Sequence, residues 1–245
     1  MINMRALFDM DNAFFRGMSK VADLCILNVV FLFCCIPIFT IGAATTALSY
    51  VTLKMKDGEE GYILKSFFKS FRQNFKQSTV IWLLMAVAGL VLGLDLHILR
   101  RMSGTGIMMM LVVVLMGVFI WLMVFSYVFP LQARFYNTIK GTLRNAVLLS
   151  IANFPRTICM VALQTGAVLL TFYNTKTLGY GLLAWFLIGF AAIALANSTL
   201  LQPVLKKLMP AEEETGKDGD SWSVPEMDIN DDTAVLGAGD NHGEE

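Results

Sequence analysis

The sequence predicts an all-α, polytopic helical membrane bundle, and three observations carry that prediction. Five long segments hold no charged side chain: Leu24–Val51, Gln77–Leu94, Met102–Ala133, Thr157–Thr175 and Thr177–Val204. A helix needs about 20 mostly apolar residues to cross roughly 30 Å of hydrocarbon, so about five spans are expected. A proline, Pro37, sits near the middle of the first of these runs. Between the first two runs lies a segment with helical periodicity that is too charged to span and too apolar on one side to stay in water.

Residues 1–20 read as an amphipathic N-terminal segment, and 21–208 as the membrane domain with spans near 21–50, 78–95, 107–129, 157–174 and 178–203. The N-terminal segment mixes Asp9 and Asp11 with Arg5, Arg16 and Lys20, and the apolar run after it is about twice the length of a secretory h-region. It is therefore expected to anchor the chain and not to be a cleaved signal. Within this run, Ile36-Pro37-Ile38-Phe39-Thr40-Ile41-Gly42 predicts a break, because proline removes a backbone donor and clashes with the preceding turn. Each half would reach only about 20–25 Å at 1.5 Å per residue. Two shapes follow, a broken or re-entrant hairpin (a split sixth segment) or one kinked helix. Pro37, Thr40, Gly42 and Thr45 are the residues expected to shape and pack the break.

The stretch Leu64–Lys76 repeats Leu64, Phe68, Phe71 and Phe75 on one helical face and Lys65, Lys69, Arg72 and Lys76 one residue on. Such a helix lies in the cytoplasmic interface, with phenylalanines among acyl chains and cations near anionic headgroups. Its cationic face is alternatively a docking surface for another protein. A weak echo links the loops before the second and fourth runs: Tyr50-Val51-Thr52-Leu53-Lys54 resembles Tyr136-Asn137-Thr138-Ile139-Lys140, and Asn74-Phe75-Lys76 resembles Asn153-Phe154-Pro155-Arg156.

Charge divides the chain. Residues 1–210 carry 18 of the 19 Lys and Arg and 7 of the 19 Asp and Glu, a balance of +11, whereas residues 211–245 carry Lys217 against 12 acids. The stretch 209–245 is expected to be a disordered acidic tail, having too few apolar residues to offset its ordering entropy. It either keeps the chain soluble at that end or docks on a basic partner. The positive-inside rule puts Lys- and Arg-rich loops in the cytoplasm. With a single crossing at the first run the inside-to-outside count is 13 to 6, and with a hairpin it is 16 to 3. Either arrangement places the C-terminal tail in the cytoplasm.

Asn28, Thr40, Thr45, Thr46, Gln164, Asn197 and Ser198 are polar residues expected at membrane depth, for interhelical hydrogen bonding or for function. Cys25, Cys34, Cys35 and Cys159 all fall in apolar runs without metal or redox spacing. No HExxH, GxSxG or Walker A pattern is present, so the reading names no catalytic residue, no metal site and no cofactor.

Asp23-Leu24 with Asn28, followed by Cys35-Ile36-Pro37-Ile38-Phe39-Thr40-Ile41-Gly42-Ala43-Ala44-Thr45-Thr46-Ala47-Leu48, resembles the N-terminal signature of the YesL family of bacterial membrane proteins of unknown function. Phe67–Ser78 is similar to that family's second block, and the likeness covers roughly residues 5–208. The resemblance implies a bacterial plasma-membrane protein from a family often encoded beside carbohydrate ABC importers and their sensor kinases. It supplies no reaction. The expected function is a non-enzymatic accessory or regulatory component of carbohydrate uptake or sensing, with the bilayer, ABC importer subunits or a sensor kinase as partners and no nucleic acid. The alternative is a small transporter or lipid-handling protein. Oligomeric state is not readable.

Overall fold

The computed structural model describes residues 13–58, 62–102 and 106–208, with side chains from residue 17 onward. Residues 1–12 of the N-terminal segment and the acidic tail from 209 lie outside the described residues. The chain forms α1 (Ala13–Cys34), a 3-10 turn (Ile38–Thr40), α2 (Ile41–Lys56), α3 (Ile63–Leu99), α4 (Ile107–Arg134), α5 (Ile139–Ala152), α6 (Phe154–Phe172), α7 (Thr175–Ala184), a π-helical turn (Trp185–Gly189) and α8 (Phe190–Lys207). Among the described residues no strand forms, as expected of an all-α bundle. Among the described residues six stretches are long and apolar enough to cross a membrane: Gly17–Cys34, Ile38–Lys56, Ile63–Leu99, Ile107–Arg134, Phe154–Phe172 and Thr175–Lys207.

The sixth arises because the first run is split at Pro37, and the chain doubles back there. Asn28 of α1 bonds to the backbone of residues 185, 186 and 191, while Thr52 of α2 bonds to Ser198. A continuous helix would hold Asn28 and Thr52 about 36 Å apart, yet Ala191 and Ser198 stand only about 10 Å apart on α8. A hairpin satisfies both contacts and a kinked rod does not.

Helix ends follow ordinary capping chemistry. Thr138 accepts from the Gly141 amide to open α5, and Asn174 with Thr177 forms a capping box at α7. Gly58, at φ 78°, provides the left-handed residue after α2. Pro155 occupies the first turn of α6, where its missing N–H costs nothing.

Two details differ from the sequence expectation. The basic amphipathic stretch is not a separate element: it is the first third of α3, a single 37-residue helix about 55 Å long. And the region 135–153, read as part of a loop, contains α5, which exposes Val147, Leu148 and Ile151 together with Lys140 and Arg144. That helix has the amphipathic make-up of an interfacial segment.

Packing is concentrated at one end. One buried cluster joins Leu24, Leu27 and Phe31 of α1 to Ala44, Ala47, Leu48 and Val51 of α2, with Phe67 and Ala191. A second joins Leu53, Ile81 and Met85 to Tyr127, Phe129, Leu131, Met160, Leu201 and Leu205. The outer parts of α3 and α4 instead expose Leu83, Val87, Leu90, Leu94, Met108, Met109 and Val113, a surface suited to acyl chains.

Candidate functional site

The packed end of the bundle is organised around polar side chains. Asn28, expected at membrane depth, is fully buried and fastens α1 to the π-helical turn. Its Nδ2 donates to the carbonyls of Trp185 (3.0 Å) and Phe186 (2.7 Å), and its Oδ1 accepts from the Ala191 amide (3.0 Å). A π turn shifts the i→i+4 ladder by one residue and strands backbone groups, and these three bonds answer that loss. Asn197 is also buried, but its side-chain oxygen has no hydrogen-bond partner.

The break residues form one unit. The Thr40 hydroxyl donates to the Cys34 carbonyl (2.5 Å) and the Pro37 carbonyl (2.6 Å), closing the apex over its own backbone. Thr45 donates to Ile41 O within α2. Gly42 lies flat against α3: a Cβ there would overlap the Ser78 carbonyl and the Cβ of Trp82. That approach lets Thr46 bond Ser78 Oγ at 2.9 Å, the small-residue packing that membrane helices use. Farther along, Thr52 bonds Ser198 at 2.8 Å.

A polar belt continues between α3, α4, α5 and α6. Gln132 donates to Asn74, Thr142 donates to Gln132, Gln77 donates to the Asn137 carbonyl, and Tyr127 pairs with Thr157. At the tip of this end, Asp57 gathers three helix termini. It pairs with Arg134 at 3.4 Å and Lys206 at 3.6 Å and accepts from Gln202 at 2.7 Å. The Asp57 and Arg134 side chains are only 14% and 12% exposed, whereas Lys206 is 55% exposed and adds little through solvent screening. The ends of α2, α4 and α8 therefore meet on one side of the molecule, hereafter the Asp57 face.

The basic stretch of α3 starts at that face. Lys65, Lys69, Arg72 and Lys76 are all exposed. Of the phenylalanines in this stretch, Phe67 is fully buried, Phe68 is exposed, and Phe71 and Phe75 are half-buried. The packing face of α3 is Phe67, Ser70, Asn74, Ser78, Ile81 and Met85, while Phe67, Phe71 and Phe75 stack in a ladder beside it. Sequence reading singled out neither Asp57 nor Phe67. Asp57 stands between the basic end of α2 and Gly58, with Glu59 and Glu60 next in the chain, so no local pattern marks it out.

Among the described residues no group of three His, Cys, Asp or Glu side chains comes together as a metal site would require. The polar groups of the belt are neutral and bonded to one another and to backbone carbonyls, an arrangement that holds helices together.

Residues 24–96, from α1 through most of α3, match the family described as "Protein of unknown function, DUF624". The chain is also similar to "Uncharacterized protein YteU" of Bacillus subtilis (strain 168), with 26% identity over 137 residues, covering 56% of this chain and 61% of that protein. The match thus spans less than two thirds of that relative. No solved structure matches.

Proposed function

We propose that this protein is a non-enzymatic membrane component of the YesL type that acts by binding another protein at its Asp57 face. The single observation behind this reading is the arrangement of charge. Exposed cations of α3 and α5 crowd the end where Asp57 clamps three helix termini, whereas the far ends carry Arg100, Arg101 and Lys176. By the positive-inside rule the Asp57 face is cytoplasmic, in a bacterial plasma membrane. A rigid, cationic, cytoplasmic platform suits an acidic protein surface. The resemblance to a family encoded beside carbohydrate importers makes an ABC importer subunit or a sensor kinase the partner to look for.

The test is affinity purification in mild detergent with mass spectrometry of co-eluting proteins, for the natural chain and a Lys65→Gln/Lys69→Gln/Arg72→Gln/Lys76→Gln variant. The substituted side chains are exposed, so membrane abundance should stay at the natural level while the partner is lost. An unchanged co-purification profile at equal abundance rejects docking through this helix.

A further inference from the structure

Six stretches can cross a membrane by length and composition, but α2 and the lipid-facing part of α3 do not fit in one apolar layer. Gly42, the second residue of α2, lies against Ser78 and Trp82, and Thr46 bonds Ser78. From there α2 descends towards the Asp57 face beside the part of α3 that exposes Lys65, Lys69, Arg72 and Lys76. Beyond Trp82, α3 continues without charge to Leu94 and exposes half or more of Leu83, Leu84, Val87, Leu90, Val91 and Leu94. Trp82 to Asp95 is about 20 Å of helix. α4 packs along this same outer stretch, with Gly89 against Trp121 and Gly117 against Leu92.

An apolar layer placed to cover α2 would bury the cations of α3, at about 2.5–3.5 kcal/mol each near the layer's centre, and would put Leu83–Leu94 in water. A layer placed on the uncharged run Gln77–Leu94, about 27 Å long, leaves the hairpin apex well short of the far surface.

The apex itself is made for hydrocarbon. Phe33, Ile36 and Ile38 are 66%, 73% and 74% exposed there, and no charged residue accompanies them. Part of its backbone is served internally. The Cys35 amide donates to Phe31 and Leu32, Ile36 to Phe33, and Thr40 to Pro37. Pro37 has no N–H to satisfy, and the Thr40 hydroxyl covers the Cys34 and Pro37 carbonyls. Unpaired backbone groups cost several kcal/mol in lipid, whereas a loop in water needs no such provision.

We propose that α1 and α2 form a re-entrant hairpin that enters and leaves through the Asp57 face and ends inside the apolar layer. The chain then crosses four times, through α3, α4, α6 and the continuous α7–α8 segment.

The test places single spin labels on the full chain with Cys25, Cys34, Cys35 and Cys159 replaced by alanine. The protein is reconstituted in phosphatidylcholine–phosphatidylglycerol vesicles, open to reagents on both sides. An Ile38→Cys label should collide readily with oxygen and several-fold less with a water-soluble nickel chelate than labels at Met102→Cys and Lys69→Cys. Ile36→Cys, at an equally exposed site, gives an independent reading should Ile38→Cys not fold. Nickel accessibility at either apex site equal to that at Met102→Cys overturns the proposal, because the apex would then reach water as a full crossing requires.

Discussion

Replacing Gly42 by alanine adds one methyl group where α2 meets α3, and the structure sets the size of the effect. The new Cβ would overlap the Ser78 carbonyl, which belongs to a helical backbone and cannot rotate away. Overpacking of this kind costs about 1–3 kcal/mol, and a backbone neighbour puts it at the upper end. Separating the helices also stretches the Thr46–Ser78 bond, about 0.6 kcal/mol in membrane proteins. The better helix propensity of alanine returns about 1 kcal/mol. The net loss is about 2–3 kcal/mol, which for a chain of this size lowers the melting temperature by about 5–10 °C. Gly93→Ala and Gly166→Ala, with nothing within 4 Å of the added atom, should hold or slightly raise it. The assay is the fraction of monodisperse protein after heating in detergent. A Gly42→Ala variant that melts with Gly93→Ala would refute the close contact between α2 and α3.

Other changes probe the same frame. Leucine at Gly42 should cost more stability than leucine at Gly89, because Gly89 faces the movable ring of Trp121; equal melting in detergent would remove the distinction. Asn28→Leu loses three hydrogen bonds at the π turn and should cost about 2–3 kcal/mol. Asn28→Asp should be at least as damaging, since its carboxylate faces two carbonyls, and a natural melting temperature for either variant contradicts the fastening role. Asp57→Asn should destabilise by about 1–3 kcal/mol, and adding Arg134→Gln should restore part of the loss; strictly additive effects in this double-mutant cycle would show that the 3.4 Å pair is not coupled.

The membrane class, the later spans and the split at Pro37 were legible because they rest on long gaps between charges and on one residue that cannot continue a helix. The choice between hairpin and kink was not, since it depends on which residues of α8 meet Asn28 and Thr52, contacts more than 140 positions away in the chain. The packing face of α3 was not read from the sequence: the helix packs through Ser70, Asn74 and Ser78, whose small size permits close approach, and a count of phenylalanines does not select them. Asp57 was not singled out from the sequence, because nothing local reveals that Arg134 and Lys206 converge on it.

The sidedness of the Asp57 face underlies the docking reading, and cysteine labelling in intact cells tests it most directly. Lys140, which is exposed on α5, reports on that helix. On a cysteine-free background, Gln73→Cys, Lys140→Cys and Ser221→Cys should resist a membrane-impermeant maleimide until the cells are permeabilised, while Gly104→Cys should react at once. Efficient labelling of Gln73→Cys from outside, with Gly104→Cys protected, would contradict the account.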